Sequence, residues 1–137
     1  MRVKISKASL ESALLKEVGE ISGENVWACY QCGNCSAGCP LSFAMELIPN
    51  QVIRLLHLGQ EKDVFHSNTV WLCASCLTCK TRCPRGVDLS RINEAIRHLA
   101  MRRGKAPDHF GPDDVPGSLR RQAPPQALAS VFRKMGA

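Results

Sequence analysis

Two stretches decide how this chain is read: Cys29-Tyr30-Gln31-Cys32-Gly33-Asn34-Cys35-Ser36-Ala37-Gly38-Cys39-Pro40 and Cys73-Ala74-Ser75-Cys76-Leu77-Thr78-Cys79-Lys80-Thr81-Arg82-Cys83-Pro84. Both follow C-x2-C-x2-C-x3-C-P, the second 44 residues after the first, and together they use all eight cysteines of the 137-residue chain. Three evenly spaced thiolates in one tight loop can reach three corners of a cubane. The fourth must come from elsewhere, and in two-cluster proteins it comes from the other motif. The proline stops the chain from closing back on its own cluster. The spacing therefore predicts two [4Fe–4S] clusters. Cys29, Cys32, Cys35 and Cys83 would hold the first; Cys73, Cys76, Cys79 and Cys39 would hold the second.

Two other thiol chemistries compete. Disulfides need an oxidising compartment, and cysteines two residues apart pair poorly within one regular loop. Residues 1–20 carry charges throughout and no apolar run of the signal-peptide kind, so the expectation is a cytoplasmic chain. Structural zinc takes four thiolates, usually as two separate C-x2-C pairs, and has no use for a third evenly spaced cysteine. No apolar run is long enough to span a bilayer. The formal net charge is +6 with neutral thiols. Two oxidised four-thiolate cubanes, each carrying about −2, would bring it to about +2. Most of the positive excess lies after Ala100, without interleaved aromatics, so no nucleic-acid partner is expected.

Around the loops the pattern is helical and no strand alternation stands out. Leu10, Ala13, Leu14, Val18 and Ile21 recur at helical spacing, with Ser6 or Ser9 as cap and Gly19 and Gly23 as stops. The 33 residues between the loops hold a helix from Ile48 to Leu58, proline at its start and Gly59 past its end. Ile48, Val52, Leu55 and Leu56 share its apolar face. A short helix is expected over 41–47 and a further turn over 61–65, stopped by Ser67 or Asn68. After the second loop, Asp88 or Ser90 caps a helix through Arg103, with Ile92, Ala95, Ile96, Leu99 and Ala100 as its apolar stripe. Arg97, His98, Arg102 and Arg103 suit the negative end of its dipole, and Gly104 suits its terminus. Residues 105–137 hold five of the eight prolines and cannot build a core of their own. Leu128, Val131, Phe132 and Met135 form one apolar face there, read as a segment that docks a partner.

Within the loops, Gly33, Ser36, Ala37, Gly38, Ala74 and Ser75 are small enough to let backbone amides approach sulfur, which raises a cluster's potential. Trp27, Tyr30, Phe43 and Trp71 either shield the clusters or fill the core. Lys80, Arg82 and Arg85 either raise the potential of the second cluster, meet a partner, or are a solvated face. His57, His66, His98 and His109 have no ligand spacing. No phosphate loop, nucleophile elbow or zinc-protease motif is present. The chain shows electron-carrier chemistry and no substrate site.

A helix-rich linker between the motifs, in place of the short spacer of small bacterial ferredoxins, resembles the alpha-helical ferredoxin arrangement. The stretches 29–40, 48–59 (I-P-N-Q-V-I-R-L-L-H-L-G) and 70–89 (V-W-L-C-A-S-C-L-T-C-K-T-R-C-P-R-G-V-D-L) are similar to the C-type subunits of the heterodisulfide reductases. That resemblance implies a mostly α fold with two cysteine-rich cluster loops and extended terminal arms. It covers about Val26 to Arg103 and not the tail; the cysteine repeat divides the chain into an arm (1–25), a two-[4Fe–4S] domain (26–104) and a docking tail (105–137). The resemblance implies a relay that takes electrons from a flavin and iron–sulfur A-type subunit and hands them to a B-type subunit with CCG motifs. The chain itself has no Cys-Cys pair, so it resembles the relay without the catalytic motif. A free-standing two-cluster ferredoxin, the iron–sulfur subunit of another anaerobic dehydrogenase, and a structural zinc module are the rival readings.

Overall fold

The computed structural model describes residues 12–104 together with Gly117, Arg121, Pro125 and Gln126. The Ser6 or Ser9 cap, Leu10, His109 and the apolar face at 128–135 lie outside the described residues. Among the described residues every regular element is helical and none is a strand.

Helix α1 (Ala13–Ser22) starts at Ser12, whose hydroxyl accepts from the Leu15 amide at 3.2 Å. It ends at Gly23, which is left-handed and donates its N–H to the Gly19 carbonyl. Gly19 thus lies inside the helix instead of ending it. A 3-10 turn at Val26–Ala28 leads into the first cysteine loop and the short helix α2 (Asn34–Ala37).

The helix expected over 41–47 is only a 3-10 turn, Ser42–Ala44. The reason is where the next amides find partners. The Glu46 and Leu47 N–H groups donate across the fold to Asn68 Oδ1 (3.0 Å) and Thr69 Oγ1 (2.9 Å), not back along the chain. Thr69, fully buried, returns a bond to the Leu47 carbonyl at 2.8 Å. Helix α3 (Pro49–His57) follows, the Gln51 side chain accepting the Ile48 N–H at 3.0 Å. Its buried face is Val52, Ile53, Leu56 and His57, with Ile48 and Leu55 at the margin.

Helices α4 (Glu61–His66) and α5 (Thr69–Leu72) lead to the second loop and to α6 (Thr78–Arg82). Helix α7 (Leu89–Arg102) closes the fold, and every residue of its expected apolar stripe is buried. It packs against α1, α5 and α6. The core they share joins Leu14 and Val18 to Val52, Leu56, Val64 and Val70 and to Ile92, Ile96 and Leu99. Arg103, at the end of α7, reaches Glu17 at 2.8 Å and Glu61 at 3.5 Å, fastening α1 and α4 to it.

Asp88, 2% exposed, caps α7. Burial alone would raise its pKa. Hydrogen bonds from Ser90, Lys80 and the Arg91 amide outweigh that and hold it below the usual aspartate value. The Lys80 ammonium stands 3.3 Å away.

The repeat in sequence is also a repeat in backbone. Gln31 and Ser75, 44 residues apart, both have positive φ (64° and 54°), and so do Gly33 and Leu77 (79° and 62°). Gly33 and Leu77 each stand immediately before a short helix, α2 or α6. Alternating left-handed residues turn successive N–H groups toward one side, the concavity that receives anions. Leucine has no reason to sit there except that the loop requires it, because a left-handed residue other than glycine costs about 1 kcal/mol or more.

Two outcomes follow for stability. Leu77→Gly should leave stability unchanged or raise it, whereas Gly33→Leu should lower it by about 1 kcal/mol; thermal unfolding of the anaerobically purified protein checks both. Asp88→Ala should cost about 1–2 kcal/mol through the lost cap. Because the folded pKa is depressed, the Asp88 contribution is complete above the unfolded value of about 3.9 and is lost as pH falls below it. The wild-type and Asp88→Ala unfolding curves should therefore converge in acid.

Candidate metal centre

The two loops are held by matching clamps. Val26 and Val70, both buried and 44 residues apart, stand just before the loops. The Val26 carbonyl contacts His57 Nε2 at 2.9 Å, and the Val70 carbonyl accepts from Arg97 Nη1 at 2.7 Å. His57 and Arg97 are both buried, and each is the ninth residue after the cap of its helix, α3 or α7. Each long helix thus fixes the backbone where its own loop begins. Arg97, read from sequence as a dipole-suited cation, has this structural partner instead. The Trp27 ring stacks on His57, centroids 4.7 Å apart and planes within 4°.

The loops also meet. Helices α2 and α6 pack together, and the Arg82 side chain lies so close over Gly38 that a Cβ there would collide with its Cδ, Nε and Nη1. A larger residue there would have to displace that side chain.

None of the eight cysteines forms a disulfide. Cys32 and Cys76, the second of each motif, are exposed; the other six are half-buried. A hollow of about 410 Å³, counted to its open mouth, is lined by Cys39 of the first loop and by Cys73, Cys76 and Cys79 of the second. Leu89 and Asn93 of α7 complete one wall. In the first loop, the Tyr30 hydroxyl is raised in pKa by partial desolvation, then by Cys32 and Cys83. Cys83 Sγ accepts the Val87 N–H at 3.4 Å.

Burial pushes the Cys35 and Cys79 thiols up, and the charges of Cys29 and Cys73 push the same way. The hydroxyl and amide of Thr78 hold Cys76 below its usual value. Crowded thiolates of one sign are relieved by a cation, and loading it expels their protons. The hollow's lining carries no carboxylate or imidazole, and such soft, all-thiol donors suit iron–sulfur clusters. Among the described residues no three cysteine, histidine or acidic side chains converge on a point that one metal ion could occupy. The donor set fits an iron–sulfur group.

Of the four aromatic residues singled out in the sequence, Trp71 is half-buried and packs against the core, whereas Trp27 is 58% exposed, Tyr30 61% and Phe43 86%, so these three are not core. Of the basic residues, Lys80 is engaged with Asp88 and Arg82 lies across Gly38. The Val26 and Val70 clamps were not read from the sequence. The signal was there, because Val-Trp precedes both motifs. No helix among the described residues is long and apolar enough to cross a membrane.

Residues 24–87 match the family model described as a 4Fe-4S dicluster domain. The chain is 40% identical over 80 residues to the C-type iron–sulfur subunit of the CoB--CoM heterodisulfide reductase of Methanopyrus kandleri, covering 58% of this chain and 42% of that one. It is 37% identical over 87 residues to a C-type iron–sulfur subunit of the CoB--CoM heterodisulfide reductase of Methanocaldococcus jannaschii, covering 64% and 46%. The matched stretch thus spans less than half the length of either relative. The chain contains an iron–sulfur domain and is distantly homologous to these C-type subunits.

Proposed function

We propose that this chain is an electron-relay subunit that carries two [4Fe–4S] clusters and has no catalytic residue of its own. Cys29, Cys32, Cys35 and Cys83 hold one cluster, and Cys73, Cys76, Cys79 and Cys39 hold the other. The observation that carries the reading is the hollow in which Cys39, from the first motif, joins three cysteines of the second. Each cluster, when bound, takes up and gives back one electron. The chain's own residues set how easily that happens. Backbone amides such as Val87 N–H to Cys83, and Leu89 N–H to Cys79, stabilise negative charge on sulfur. Exposed Cys32 and Cys76 bring an edge of each site to the surface, where a donor or acceptor can approach. Exposed Tyr30 and Leu77 stand beside them.

By likeness to the C-type subunits, the partners are a flavin and iron–sulfur A-type subunit on one side and a CCG-containing B-type subunit on the other, in the cytoplasm. The arm (1–25) and tail (105–137) flank the cluster domain, and the tail docks a partner.

Anaerobic purification followed by iron and sulfide analysis should find about eight of each per chain, with A-type and B-type subunits retained by affinity capture of the native complex. A colourless protein holding zinc would overturn the reading. Cys83→Ala should remove the cluster of the first loop while the second remains, as counted by Mössbauer or EPR spectroscopy. Loss of the second-loop cluster alone would reverse the ligand assignment.

A further inference from the structure

Helices α3 and α7 occupy matching places after the two loops, and their residues correspond when counted from their caps, Ile48 and Asp88. Val52 corresponds to Ile92, Leu56 to Ile96 and His57 to Arg97, all buried on both helices. One pair breaks the correspondence. The fifth residue after the cap is Ile53 in α3 and Asn93 in α7, each 2% exposed. Asn93 Oδ1 is buried without a hydrogen-bond partner. A buried amide oxygen left unpaired is destabilising, and an aliphatic residue there would match the rest of the stripe. Asn93 also lines the hollow of Cys39, Cys73, Cys76 and Cys79. No donor engages Oδ1, and with the amide turned end for end Nδ2 would stand in its place as a donor.

We propose that the Asn93 carboxamide donates an N–H bond to a sulfur of the cluster in that hollow, and so positions its charge and raises its reduction potential. The proposal rests on the two-cluster reading above. Turned so that Nδ2 stands at that place, the amide would need an acceptor at the wall of the hollow, and a thiolate-ligated cluster has only sulfur acceptors to offer. A hydrogen bond to sulfur favours the reduced, more negative state. The first site has Ile53 at the corresponding place and lacks this donor. Asn93 is therefore what makes two sites of the same ligand pattern electronically different.

The test is Asn93→Leu in the full-length protein, purified anaerobically. Iron and sulfide should stay at the wild-type level. One midpoint potential should fall, by as much as a tenfold change in the reduced-to-oxidised ratio, about 59 mV for one electron. The falling midpoint should belong to the cluster whose EPR signal Cys76→Ser abolishes, and the other should stay put. Midpoints that do not move, or that move together, would overturn the inference while leaving the cluster reading intact. A wild-type protein without cubanes would overturn both. A measurement on the unaltered fold guards against a variant that fails to load. With asparagine labelled with nitrogen-15 at the side-chain amide, pulsed EPR of the reduced protein should show nitrogen coupling in that same signal. Its absence would count against Asn93 equally.

Discussion

The close approach of the two cysteine loops is the constraint on which the rest of this fold depends. Helix α2 lies against α6, and the Arg82 side chain crosses closely over Gly38. Gly38 immediately precedes Cys39, and Arg82 immediately precedes Cys83. The contact therefore sits at the root of the two cysteines that each motif can lend to the other. Neither loop has a core of its own, since no residue of α2 or α6 is buried. What holds them is this mutual contact together with the long helices behind them.

Those helices act through backbone carbonyls as much as through apolar packing. His57 and Arg97 reach from equivalent turns of α3 and α7 to the carbonyls of Val26 and Val70. The Val26 carbonyl also accepts the Cys29 N–H at 3.3 Å, so there the histidine adds a second bond, and in both halves a buried donor at that carbonyl fixes the direction in which the next residues leave. The next residues are the cysteine loops. Left-handed Gln31 and Gly33, and left-handed Ser75 and Leu77, then bend each loop in the same way. The internal duplication is thus one of mechanism, with the same clamp, bend and short helix used twice.

Much of this was legible in the sequence where periodicity or spacing had room to show. Helix α7 spans enough residues for its stripe of Ile92, Ala95, Ile96 and Leu99 to repeat, and Asp88 marks its start. The four-residue helices α2 and α5 span barely one turn, too little for an apolar periodicity to repeat. The stretch 41–47 reads as helix by composition, but its amides are claimed by Asn68 and Thr69, a tertiary effect that no local window contains. Arg97 looked like one of several cations near a helix end. Its burial depends on the neighbouring helix α5, which the pattern did not show. The cysteine grouping needed no such context, because ligand number and spacing are local properties. The aromatic residues did need it: Trp27 could not be placed without His57, 30 residues away in sequence, against which its ring lies.

A relay of two sites is useful only if the sites differ, and a perfect duplication would work against that. Here the surroundings of the two loops diverge in charge as well as in polarity. The second loop carries Lys80, Arg82 and Arg85, while residues 29–40 carry no charged side chain. Lys80 is partly spent on Asp88, so its field at the second site is reduced. Asn93, fixed in the wall of the hollow and only 2% exposed, is less screened by water than a surface cation and acts over a shorter range. Under the proposed loading, the asymmetry between the sites is therefore set more by a neutral buried amide than by the basic residues that the sequence displays most openly. The duplicated scaffold supplies the common geometry, and Asn93, where α3 has Ile53, is the departure on which the proposed difference between the two sites rests.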